Sequence, residues 1–172
     1  MLKFVVPQER SRKAGLRDIP RVVWWSWKIK WAMRWPFPGM FPWASSISHC
    51  QVTDKDPLRF FVVDKEGGVS EHGVLKYSTK LRRYFGARVI INPEIVSHGK
   101  TEMQVREGCM SLPNVGKKRV KRWENVVVRY WTFLGPRTRT LHLFRAMIAQ
   151  HEIDHMNGVD ILGRRDKFHW KK

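Results

Sequence analysis

Two histidines four residues apart, His151 and His155, end the most strongly periodic stretch of this chain. Leu141, Phe144, Ile148, His151 and His155 follow one another at steps of three or four, the repeat of one helix face. The spacing predicts a helix from about Thr138 to Asn157, capped at its start by Thr138 or Thr140 and closed by Gly158. The apolar stripe that buries such a helix runs straight into the two imidazoles. A fold for this chain must therefore wrap its remaining elements around a helix that carries titratable groups inward.

His151-Glu152-Ile153-Asp154-His155 has the form H-E-x-x-H. On a helix, two histidines at this spacing project from one side about a turn apart, so both rings can reach one metal ion. Glu152 lies slightly around the helix, where a general base for a metal-activated water belongs. A catalytic metal usually needs a third protein ligand and an open position. Two protease arrangements supply that ligand downstream, but Ile161 stands where one would need histidine, and no glutamate follows Glu152. The upstream donor is Cys109, within Glu107-Gly108-Cys109-Met110-Ser111, whose thiolate suits iron or zinc. Cys109 and Cys50 are the only cysteines, too few for a disulfide framework, which points to a reducing compartment.

The middle of the chain reads as strands. Leu58–Asp64, Ala87–Val96, Met103–Glu107 and Glu124–Phe133 are rich in β-branched and aromatic residues. Gly67-Gly68, Asn92-Pro93, His98-Gly99 and Gly135-Pro136 read as turns between them, and Lys65–Arg88 as a loop or irregular hairpin. The start differs in character. Residues 1–45 form a basic, tryptophan-rich extension in which Trp24, Trp25, Trp27, Trp31, Trp35 and Trp43 are interleaved with Arg21, Lys28, Lys30 and Arg34. Val22–Met33 can be helical, with Val23, Trp27, Lys30 and Trp31 on adjoining turns, before Pro36, Pro38 and Pro42 force a loop. Such a helix packs onto its own domain or rests on RNA or a membrane surface. With 33 Lys and Arg against 15 Asp and Glu, the net charge is +18, which draws the chain to polyanions in a salt-dependent way. No run approaches the roughly 20 apolar residues of a membrane span, so stable membrane insertion is not expected. A secretory signal is not evident either.

The segments EGCMSLP and QHEIDHMNGV resemble the second and third signature motifs of peptide deformylases, written EGCLS and HExDH, and VIINPEIV resembles the strand that precedes them there. The resemblance covers roughly Leu58 to Leu162. It implies an α+β fold in which antiparallel strands pack around a central helix bearing the H-E-x-x-H motif, within a catalytic domain of residues 46–172. It implies one divalent metal ion, natively Fe(II), with Zn(II), Ni(II) or Co(II) as substitutes, held by Cys109, His151 and His155. The implied activity is hydrolysis of the formyl group from the formylmethionine of nascent polypeptides. Glu152 would serve as acid and base, and the Met110 backbone N–H and the Gln51 amide as oxyanion donors. Phe144, Met147 and Ile148 would line a methionine pocket, Glu107 would pair with Arg122, and Asp154 would orient a neighbour.

The first family motif, GxGLAAPQ, is where this sequence departs. Its counterpart is Ala44-Ser45-Ser46-Ile47-Ser48-His49-Cys50-Gln51, which keeps the glutamine and the apolar step but neither glycine. Ser46 puts a side chain where backbone should meet substrate, and the adjacent His49 and Cys50 read as packing rather than as a second metal site. Two other functions compete: a catalytically degenerate binding module, and a zinc peptidase with a third ligand other than Cys109. A monomer in a bacterial or phage-infected cytoplasm is expected, or else in an organelle, meeting the ribosome and its RNA through the basic surface. A short basic tail, Arg164 to Lys172, stands where relatives carry a long C-terminal helix.

Overall fold

The structure, a computed structural model, describes residues 3–7, 9–33, 46–63 and 88–163. The proline loop at Pro36, Pro38 and Pro42, the Gly67-Gly68 turn, nearly all of Lys65–Arg88 and the basic tail from Arg164 lie outside the described residues. Helix α1 spans Ile19–Ala32 and is followed by strands β1 (Ser46–Ser48), β2 (Phe60–Val63), β3 (Arg88–His98), β4 (Glu102–Glu107), β5 (Lys118–Trp123), β6 (Asn125–Thr132) and β7 (Gly135–His142). Helix α2, Leu143–Met156, follows β7. Five strands form an antiparallel sheet in the order β1-β2-β3-β6-β7, and β4 and β5 form a separate antiparallel ribbon.

Alternation along the strands divides the apolar side chains between the two sheet faces. Phe61, Ile90, Val126, Val128 and Tyr130 face α2 and pack with its Ala146, Ala149, Ile153 and Met156. On the other face Ile47, Phe60, Val62 and Val89 pack with Val22, Ile29 and Met33 of the α1 region. The fold is thus α+β, with antiparallel strands against a central helix that carries both histidines.

The described residues of the segment 1–45, which composition sets apart in the sequence, contribute to that same core. Val5 N–H donates to Gln51 O at 2.8 Å, Ser11 N–H to Met156 O at 2.8 Å, and the Asn92 amide exchanges two 2.8 Å hydrogen bonds with the Ala14 backbone. Helix α1 starts with Pro20 in its first turn, where a missing N–H costs nothing. Its buried stripe is Val22, Ser26, Ile29 and Ala32, while Val23, Trp24, Trp27 and Trp31 stay exposed. The stripe singled out in the sequence is therefore the outer face, with Lys28 Nζ 3.9 Å above the Trp24 ring.

Four local expectations are corrected. The catalytic-motif helix begins at Leu143, not near Thr138; residues 135–142 pair with β6 as strand β7, so Thr138 and Thr140 cap nothing. Leu143 has φ 47°, and this one left-handed residue turns strand into helix without a loop. Gly135-Pro136 belongs to β7; the tight turn is Phe133-Leu134, joining the paired Thr132 and Gly135. Asn92-Pro93 is a bulge inside β3, where the register against β6 shifts and Asn92 takes φ 51°. Strand β5 had no counterpart in the sequence reading. Gly158 closes α2 as expected, at φ 75° with its N–H on His155 O.

Candidate metal centre and cavity

Helix α2 sets the two imidazoles on one side, and their Nε2 atoms lie 3.0 Å apart. Cys109, in the turn after β4, brings its Sγ to 3.2 Å from His155 Nε2. The three candidate donor atoms all lie within 4.8 Å of one another, and among the described residues this is the one such grouping of His, Cys or acidic side chains. Two imidazole nitrogens and a sulfur converging at these distances form a donor set suited to a single divalent ion. Burial works to lower His151, but hydrogen bonds with Cys109 and Glu107 outweigh it and push it up to about 10. Burial holds His155 well below its ordinary value.

A buried ionic chain aims the first histidine. His151 Nδ1 lies 2.8 Å from Glu107 Oε2. Arg122 holds Glu107 bidentately, Nε to Oε1 at 2.7 Å and Nη2 to Oε2 at 2.8 Å, and reaches Asp154 Oδ2 with Nη1 at 2.5 Å. Glu107, Arg122 and Asp154 are 4%, 1% and 3% exposed, so these are interior charges that need one another. The expected Glu107–Arg122 pair is present, and Asp154 is its third member rather than a surface group. An imidazole whose far nitrogen is held by a carboxylate presents the other nitrogen in a fixed direction. Gln150, which the sequence reading passed over, ties α2 to the end of β5: Trp123 N–H donates to its Oε1 at 2.9 Å and its Nε2 donates to Trp123 O at 2.8 Å.

The same chain predicts acid sensitivity. Burial raises Glu107, but Arg122 and His151 overcome it and draw its pKa down to about 2. A carboxylate depressed on folding adds stability that is complete above its ordinary range and is lost as pH falls through the folded value. The urea midpoint of metal-free protein should therefore fall between about pH 4.5 and pH 2. Glu107→Gln should flatten that fall; an unchanged slope would remove Glu107 as its source.

The centre opens into a cavity of about 580 Å³. Its polar lining includes Ser46, Gln51, Cys109, His151 and Glu152, and its apolar lining Met110, Phe144, Met147 and Ile148. Gln51 is fixed by the Ser48 N–H donating to its Oε1 at 2.9 Å; its Nε2 points at Ser111 Oγ, 3.3 Å, and Cys109 Sγ, 3.7 Å. Glu152, 1% exposed, has one carboxylate oxygen 2.5 Å from Ser46 Oγ and the other bonded to Ser48 Oγ. His49 accepts the Leu58 N–H at Nδ1 and stacks on Phe60, while burial pushes the Cys50 thiol up to about 12. Both are packed side chains, as the sequence suggested.

Known proteins resemble this chain in sequence and in fold. The family model for polypeptide deformylase matches residues 51–170. A peptide deformylase of Macrococcus caseolyticus is 38% identical over 81 residues, 45% of this chain and 44% of that protein. One from Lactobacillus delbrueckii subsp. bulgaricus is 42% identical over 73 residues, 41% of this chain and 40% of the relative. The matched stretch thus spans less than half the length of these curated relatives. The fold matches that of a class I type b peptide deformylase from Acinetobacter baumannii solved with Met-Ala-Ser, with TM-score 0.73 and 21% identity over 95% of this chain and 98% of the other. A Plasmodium falciparum peptide deformylase gives TM-score 0.69 and 22% identity over 96% and 87%.

Proposed function

The chain belongs to the polypeptide deformylase family, and from that premise we propose that it hydrolyses the N-formyl group of formylmethionine on nascent polypeptides. The observation that carries this reading is the convergence of Cys109 Sγ with the imidazole nitrogens of His151 and His155, beside a cavity that Cys109, His151, Glu152 and Gln51 line. In this reading Cys109, His151 and His155 hold one metal ion, natively Fe(II), and Zn(II), Ni(II) or Co(II) can replace it. Residues 46–172 form the catalytic part, and the described residues of the segment 1–45 pack against it. No helix among the described residues is long and apolar enough to cross a membrane. The protein works as a cytoplasmic monomer and meets ribosomal RNA through its basic surface. The net charge of +18, the exposed Trp24, Trp27 and Trp31, and Lys28 over the Trp24 ring support that contact.

A divalent ion held by Cys109, His151 and His155 would supply Lewis acidity and lower the pKa of a water at the centre. Glu152 accepts a proton from the attacking water and returns it to the departing amine. The Gln51 Nε2, held from behind by the Ser48 N–H on its Oε1, and the Met110 backbone N–H supply donors to the oxygen on which charge develops. Phe144, Met147 and Ile148 receive the methionine side chain. Glu107 and Arg122 keep His151 turned to the centre.

The test is hydrolysis of formyl-Met-Ala-Ser by protein loaded anaerobically with Fe(II). Turnover supports the reading. No turnover from protein carrying one equivalent of metal would sink it and leave a deformylase fold that only binds. Cys109→Ser separates the deformylase from a zinc peptidase: it should lose the bound metal in equilibrium dialysis, roughly a hundredfold or more in affinity. Retention of stoichiometric metal by that variant would mean a different third ligand.

A further inference from the structure

Period-2 alternation along β1 sends Ile47 into the core beneath α1 and turns both of its neighbours towards α2. Ser46 Oγ donates to Glu152 Oε1 at 2.5 Å, and Ser48 Oγ donates to Glu152 Oε2. Each carboxylate oxygen therefore has its own hydroxyl. Ser48 is fully buried, and Ser46 is half-buried on the cavity wall. The motif GxGLAAPQ has glycine and alanine at these two positions, and neither carries a side-chain donor. The departure in sequence and the two hydrogen bonds thus fall on the same residues.

We propose that Ser46 and Ser48 are positioning residues that hold Glu152 in the orientation its proton transfers require, an assignment that rests on the deformylase reading above. The last torsion of a glutamate is broad, so one hydrogen bond leaves the carboxylate plane free to turn. Two hydroxyls on one rigid strand, bound to different oxygens, fix the rotamer and the plane together. Hydrogen bonds to an ionised acceptor are the strong ones, so the restraint is substantial. A carboxylate offers about four acceptor positions and these hydroxyls occupy two, so lone pairs remain for the proton that Glu152 receives. Neither hydroxyl bonds to Cys109, His151 or His155, so the pair should act on the rate and not on metal binding.

Steady-state kinetics of the Fe(II)-loaded protein on formyl-Met-Ala-Ser test this. Ser46→Ala and Ser48→Ala should each lower kcat roughly tenfold, with metal content unchanged in both and KM unchanged in Ser48→Ala. Ser46→Thr keeps the hydroxyl on the cavity wall and should restore the rate. An unchanged kcat in both alanine variants, an equal loss in Ser46→Thr, or a loss confined to KM or to metal content would each overturn the assignment. Crystal structures of the metal-free wild type and of Ser46→Ala/Ser48→Ala provide a readout that needs no turnover. A carboxylate that leaves its wild-type position in the double variant supports the assignment, and one that stays overturns it. If the wild type does not turn over, the deformylase reading fails, and the crystallographic comparison still decides the role of the serines.

Discussion

Replacing Glu152 with alanine should lower kcat on formyl-Met-Ala-Ser by about a thousandfold, near the middle of the range measured for general acid–base groups, while the protein keeps its metal. Glu152 is 1% exposed, lines the cavity, and is the carboxylate of α2 not engaged by Arg122. Asp154 on the same helix is committed to the guanidinium and cannot take its place. Metal content by atomic absorption and kcat by formate release make the two halves of the prediction separate. A variant that loses its metal as well would assign Glu152 to holding the centre. A variant that retains wild-type turnover would remove it from the reaction.

Arg122→Leu should destabilise the protein by about 3–5 kcal/mol. The leucine leaves two carboxylates, Glu107 and Asp154, in a site that no longer holds a cation between them. Neither has water to turn to, because both are nearly fully buried. For a domain of this size the loss corresponds to about 10 °C or more in Tm. Thermal unfolding of the metal-free variant at neutral pH measures it. A shift of only a degree or two would show that solvent reaches the pair after all. Replacing all three charges with apolar residues of similar volume should cost far less, since no ion is then stranded. Activity should fall with Arg122→Leu as well, through His151, whose Nδ1 partner is Glu107.

Several elements were legible one by one. The β2, β3, β4 and β6 strands announce themselves by β-branched and aromatic runs, because burial of one or both faces demands such side chains. Strand β5 escaped notice because Lys118-Arg119-Val120-Lys121-Arg122-Trp123 reads as charge. Its buried positions include Val120 and Arg122, and a buried arginine leaves no mark in a hydrophobic pattern. Strand β7 escaped for a related reason. It is an edge strand, exposed along most of its length, and its conformation is decided by pairing with β6 rather than by its own residues. The helix that follows was drawn too long at its start because Leu143 changes the backbone direction with no glycine or proline to mark the place.

The sequence by itself determined the local part of the site. A four-residue spacing on a helix leaves two histidines no choice but to share a side, and Gly158 could be recognised as the helix stop from its position alone. Which distant groups meet there was decided only by the tertiary structure. Cys109 meets a histidine 46 residues away, Gln51 reaches a sulfur 58 residues away, and Ser46 and Ser48 reach a glutamate 106 and 104 residues away. Such contacts depend on strand order and register. A one-residue slip of β1 would turn Ser46 and Ser48 away from Glu152 and Ile47 towards it. Periodicity says which side chains share a face, and only the packed sheet and helix say what that face meets.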